Sequence, residues 1–245
     1  MEAAKPIIAI KSLYKSFGEN AILKGVNLTV NKGENLVILG RSGSGKSVTI
    51  KCLVGLVKAD EGQIEIFDEE ITNLNDEDLN KIRTRIGFMF QNGALYDSMS
   101  VRQNLRFTLK HHTRNLSESE IESKIDEALD SVGLKEAIDK MPAELSGGME
   151  KRIALARAII VNPEIILYDE PTSGLDTITS REISELISSV QKKYKTSSII
   201  ITHDMECAKT TGNRILILKE GLINAEGTYA ELEKSDDQWV RSFFI

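Results

Sequence analysis

The sequence predicts an α/β fold with a mostly parallel sheet, N-terminal antiparallel strands and an inserted helical subdomain. Three observations predict it. Asn35-Leu36-Val37-Ile38-Leu39, Ile165–Tyr168 and Ser198–Ile201 are nearly unbroken apolar runs, as expected of strands buried on both faces. Amphipathic stretches separate them, and strands alternating with helices imply parallel pairing through crossovers. From Asn92 to about Glu144, by contrast, the pattern is helical.

Taken in order, Ile7–Leu13 and Ala21–Val30 are β-rich runs split by the turn cluster Ser16-Phe17-Gly18-Glu19-Asn20, which predicts an antiparallel pair. Asn35–Leu39 runs straight into a glycine-rich loop, and Lys46–Leu56 then reads as a helix. Gly62–Phe67 and Ile86–Phe90 are further strands, with a short polar helix over Asp76–Arg85 between them. Ser117-x-x-Glu120 is a capping box, and Ile121, Ile125, Ala128, Leu129 and Val132 follow at helical spacing. A helix runs from Ser146 to about Val161 and an amphipathic one over Thr177–Tyr194. Arg214–Lys219 and Leu222–Glu226 form a hairpin around Glu220-Gly221. One domain is expected over residues 1–245, with a core at 1–91 and 162–245 and the helical subdomain at 92–161.

A chain of 245 residues with 41% hydrophobic and 28% charged residues has the composition of a soluble globular protein with a full core. The net charge of −6 argues against a broad nucleic-acid surface, so no nucleic-acid partner is expected. Cys52 and Cys207 have no C-x-x-C pairing and read as reduced structural thiols. Met1 to Pro6 lacks a signal pattern, and no apolar run approaches the ~20 residues of a spanning helix. The expected location is cytoplasmic, with any membrane work done through a partner.

Gly40-Arg41-Ser42-Gly43-Ser44-Gly45-Lys46-Ser47 fits the phosphate-cradling pattern G-x-x-x-x-G-K-[ST] at every fixed position, between a strand and a helix. Glycines let backbone N–H groups from Ser42 to Ser47 converge on an anion, and the helix start adds positive potential. Lys46 suits the β/γ-phosphates of ATP and the Ser47 hydroxyl suits Mg²⁺. Asp169 and Glu170 close an apolar strand where ligands of such sheets bind. The first suits the hydrated Mg²⁺ and the second an attacking water. Ser146-Gly147-Gly148 opens a helix and offers either a second anion site or a plain glycine-rich cap. Gln91, after a strand, can reach Mg²⁺ through its amide oxygen. His203 follows another strand and is either a γ-phosphate contact or structural. Phe17 can stack on an adenine face or belong to the core.

Phe17, the 40–47 loop, Gln91, Leu145-Ser146-Gly147-Gly148-Met149, Ile166-Leu167-Tyr168-Asp169-Glu170, Ser173-Gly174-Leu175-Asp176 and His203 together resemble the motif set of an ABC-transporter ATPase subunit, in that family's order. The resemblance implies a phosphate-loop NTPase core and a head-to-tail homodimer around two ATP. Ser146, Gly147 and Gly148 of one copy then face the γ-phosphate held by Lys46 of the other, and Asp176 communicates across the interface. It also implies a membrane permease contacted by residues 91–105, which holds the subunit peripherally on the inner membrane.

Phe90 to Val101, Met149 at the fifth signature position and Val240-Arg241-Ser242-Phe243-Phe244 are similar to ATPases of MCE-type phospholipid transporters. That implies phospholipid as the cargo. An ABC ATPase for another cargo, such as amino acids or lipoproteins, is the alternative. Phe17 stands where Tyr is commoner, and Tyr168 where Phe or Leu is more usual.

Overall fold

Five parallel strands form the floor on which the site is built. The computed structural model describes residues 5–112 and 116–244. Expectations that touch Met1–Ala4, residues 113–115 and Ile245 lie outside the described residues. Strand β1 (Ile8–Phe17) and β2 (Asn20–Val30) form a hairpin closed by Gly18-Glu19. With β4 (Glu61–Ile66) and β5 (Glu69–Glu70) they make an antiparallel sheet ordered β2-β1-β4-β5. The second sheet contains β3 (Asn35–Leu39), β6 (Ile86–Met89), β7 (Ile165–Asp169), β8 (Ser197–Thr202), β9 (Arg214–Lys219) and β10 (Leu222–Gly227). Its order is β10-β9-β3-β8-β7-β6, parallel except for the β9–β10 hairpin.

Side-chain alternation in this sheet fills two cores. Val37, Leu39, Ile166, Tyr168, Ile200, Ile215 and Ile217 point into one; Leu36, Ile38, Ile165, Leu167, Ile199, Ile201, Leu216 and Leu218 point into the other. The second core is closed by the antiparallel sheet and by α1 (Lys46–Leu53) and α2 (Asp76–Arg83). The first is closed by α3 (Val101–His112), α4 (Glu118–Ser131), α5 (Gly147–Ile159), α6 (Thr177–Tyr194) and α7 (Met205–Thr211). Both faces of β3, β7 and β8 are therefore dry, which explains runs without polar alternation.

Helix α4 starts as its sequence demands. Ser117 accepts from Glu120 N at 3.3 Å, and Glu120 Oε2 accepts from Ser117 N at 2.8 Å. Ile121, Ile125, Ala128 and Leu129 are its buried stripe. Two short helices, α8 (Tyr229–Glu233) and α9 (Gln238–Arg241), carry the C-terminal aromatic residues back onto the first core. There Tyr229 meets Phe244, and Trp239 meets Phe243, edge to face at about 5 Å.

Most element limits differ from the sequence reading by one or two residues, and a few differ by more. β1 continues to Phe17 because its register with β2 shifts between Ile10 and Leu13, where Ser12 takes a φ of 49°. α1 stops at Leu53, since Gly55 at φ 67° cannot continue a helix. α7, α8 and α9 are too short to show a helical period, and the sequence reading did not contain them.

Candidate active site

The site assembles at the C-terminal ends of β3, β6, β7 and β8, where a parallel sheet exposes its loops. A cleft of about 590 Å³ is lined by Ile22, the loop and helix start from Arg41 to Val48, Gln91, Glu170 and His203. Residues more than 160 positions apart are thus gathered around one loop.

Local chemistry shapes that loop. Gly43 at φ 80° and Gly45 at φ 107° take the left-handed turns. A Cβ on Gly45 would lie 2.7 Å from Leu23 Cδ2, and one on Gly40 would lie 2.5 Å from Ser44 Oγ and 2.6 Å from Leu218 O. Helix α1 has no side-chain cap and no acidic residue in its first turn, so its N–H donors are left for an anion. The buried Ser44 Oγ has no hydrogen-bond partner. These features fit a polyphosphate.

Lys46 is buried, and its Nζ donates to the Gly40 carbonyl at 2.8 Å and the Arg41 carbonyl at 3.3 Å. Glu170 Oε1 is 3.8 Å away. Burial pushes the Lys46 ammonium below the usual lysine range, and Glu170 and Asp169 partly offset this. Ser47 Oγ donates to Asp169 Oδ1 at 3.0 Å. A hydroxyl beside a carboxylate, with Gln91 lining the same cleft, offers hard oxygen donors of the kind Mg²⁺ accepts. Among the described residues no cluster of three His, Cys, Asp or Glu competes as a metal site.

Glu170 Oε2 accepts from His203 N at 3.3 Å and lies 2.8 Å from His203 Nδ1. The carboxylate is buried, whereas the imidazole side chain is 66% exposed. An enclosed acid joined to an open histidine can pass a proton between cleft and solvent.

Phe17, Ser146, Gly147 and Gly148 are not brought into this cleft. Phe17 is 52% exposed at the end of β1, with the Lys15 ammonium 5.4 Å from its ring centroid. Lys15 is held by Asp60 at 2.6 Å. Ser146 caps α5 by accepting from Met149 N at 3.3 Å, and a Cβ on Gly148 would lie 2.6 Å from Thr179 Cγ2. Asp176 caps α6, accepting from Ile178 N and Thr179 N, both at 3.0 Å. The bond from Thr179 Oγ1, at 2.6 Å, holds its carboxyl below the usual range.

Lys151 escaped the sequence reading. Its buried ammonium donates to the carbonyl of Gln91 and lies 3.3 Å from Ser173 Oγ. The available signal was its helical spacing to Ala154, Leu155 and Ala158, which puts a lysine on an apolar stripe. Arg157, the second residue missed, holds the carbonyls of Gly93, at 2.9 Å, and Ala94.

Fold and cleft together define a nucleotide-binding protein of the phosphate-loop class. A family model described as ABC transporter matches residues 23–173, and the chain belongs to that family. It binds ATP and is an ATPase. The chain is similar to the Arabidopsis thaliana chloroplast protein trigalactosyldiacylglycerol 3, with 39% identity over 97% of this chain and 73% of that one. It is 40% identical to a probable ribonucleotide transport ATP-binding protein, mkl, of Mycobacterium leprae, over 96% of this chain and 68% of the relative. A solved dimeric ATP-binding cassette, MJ0796, in a post-hydrolysis state with ADP and Pi, is similar at a TM-score of 0.82 and 35% identity. That match covers 90% of this chain and 98% of the other. Among the described residues no helix is long and apolar enough to cross a membrane.

Proposed function

We propose that this chain is the cytoplasmic ATPase subunit of a phospholipid transporter of the MCE type, held peripherally on the inner membrane by its permease. The observation that carries the lipid assignment is the 39% identity, across nearly the whole chain, to a relative named for a galactolipid. It joins the 90–101 segment and Met149, the residues similar to MCE-type ATPases. A second reading, an ABC ATPase for another cargo, draws on the ribonucleotide in the mycobacterial relative's name.

In the proposed reaction the loop from Gly40 to Ser47 cradles the triphosphate and Phe17 stacks on adenine. Lys46 neutralises the β/γ oxygens. Ser47, Asp169 and Gln91 would hold Mg²⁺, which when bound screens phosphate charge. Glu170 orients water for in-line attack on the γ-phosphorus and takes its proton. His203, 2.8 Å from that carboxylate, hands the proton towards solvent. The Ser146 hydroxyl and the Gly147 and Gly148 amides act on the second copy's nucleotide. Their absence from this chain's own cleft supports a trans role, as does the dimeric state of the solved relative. Residues 92–161 form the helical subdomain that carries this signature turn.

Residues 91–105 face the permease. Tyr96 of this segment, with Phe88, Phe90, Phe107 and Arg157, lines a groove of about 420 Å³, which supports a helix-docking role there. Gentle extraction of the tagged chain with its membrane partners checks the assignment. A co-purifying permease with enriched phospholipid is expected. A complex enriched in amino acid, ribonucleotide or lipoprotein instead would overturn the lipid reading.

A further inference from the structure

One helix braces two strained segments of the cleft. Glu170 sits at φ 50° and Ala94 at φ 49°, left-handed conformations that non-glycine residues keep only where their surroundings over-determine them. The Glu170 peptide is held on both sides. Its N–H donates to Ile201 O at 2.8 Å, and its carbonyl accepts from Ser173 Oγ at 2.9 Å and Ser173 N at 3.2 Å. Lys151 Nζ completes this cage at 3.4 Å from the same carbonyl. That ammonium also donates to the Gln91 carbonyl and approaches Ser173 Oγ at 3.3 Å. Further along α5, Arg157 fixes the carbonyls of Gly93 and Ala94.

Lys151 is 7% exposed, and burial pushes its ammonium below the usual lysine range; Glu150, Glu170 and Asp169 offset this only in part and only through space, without a direct ion pair among the described residues. Its polar partners among the described residues are two carbonyls and a hydroxyl. A buried charge without a directly paired counter-ion is costly, and an apolar side chain of the same length would fill the space without that cost. The cost has a use only if the ammonium holds those oxygens in register.

We propose that Lys151 is a positioning residue for hydrolysis: it locks the main chain of Gln91 and Glu170 to α5, the helix capped by Ser146. The cleft side chains and the signature turn then move as one body. This inference rests on the assignment of Glu170 and Gln91 to the ATPase reaction.

Lys151→Met and Lys151→Arg in the full chain test it through kcat, KM for ATP, ATP-binding stoichiometry and thermal unfolding. Lys151→Met is expected to lower kcat about tenfold or more, with KM and stoichiometry within about twofold, while Lys151→Arg keeps about half the activity or more. A Met variant with parental kcat overturns the proposal, as does a loss of kcat that only tracks a lost folded fraction. Should Lys151→Met fail to fold, Ser173→Ala removes one partner and leaves α5 whole. A lowered kcat at constant KM is expected there, and an unchanged kcat overturns the proposal. Glu170→Gln separates the two levels. If it turns over normally, the reading of the active site fails; if it is inactive while Lys151→Met is normal, only the positioning role fails.

Discussion

Glu170 is the residue on which the proposed chemistry turns, because its carboxylate is buried, 3.8 Å from the Lys46 ammonium and 2.8 Å from His203 Nδ1. An amide in its place keeps the shape and removes the proton acceptor. Glu170→Gln is therefore expected to bind ATP normally while turnover falls about 10²-fold or more, measured as steady-state phosphate release beside nucleotide binding. The two cysteines play no such part. Burial pushes both the Cys52 and Cys207 thiols up to about 11, so they are protonated and inert at neutral pH. That agrees with their reading as structural thiols.

At the scale of elements, α4 shows how unequally local signals count. Its capping box is complete but exposed, whereas Leu129 lies wholly inside the first core. Ser117→Ala is expected to cost about 1 kcal/mol, and Leu129→Ala about 2–5 kcal/mol through lost burial and the cavity left behind. Denaturant unfolding of the two variants checks the order, and an equal or reversed pair would contradict it. The same contrast governs legibility. β3, β7 and β8 could be read from sequence because their apolar runs leave no other environment possible. α7 is only seven residues long, starting from the cap Asp204, and such a helix is specified by its contacts rather than by a period. Lys151 hid for a related reason. A lysine in a helix reads as solvated until the strand ends opposite it are known.

For the whole molecule, the decisive feature is a division of labour. The phosphate loop and Glu170 share one cleft, and Asp169 joins it through Ser47, while Ser146, Gly147 and Gly148 lie outside it. If two copies complete each other's sites, mixing a Lys46→Ala chain with a Ser146→Ala chain gives heterodimers in which one site carries both lesions and the other neither. ATPase assays of the mixture are then expected to show partial recovery over either variant alone. Complete loss or complete retention would each contradict trans sharing. A preorganised donor of this kind is worth about 10²–10³ in rate, large enough to read in such an assay.

The sequence by itself determined the sheet's buried strands, the phosphate loop and the acid pair, because periodicity and glycine spacing are properties of neighbouring residues. Only the tertiary structure decided which oxygens meet Lys46, that Glu170 pairs with His203, and that Lys151 ties the start of α5 to two strained loops. Those contacts join positions up to 60 residues apart for Lys151 and 124 for Lys46 with Glu170. No local pattern encodes such distances; they follow from packing helices on both faces of one sheet.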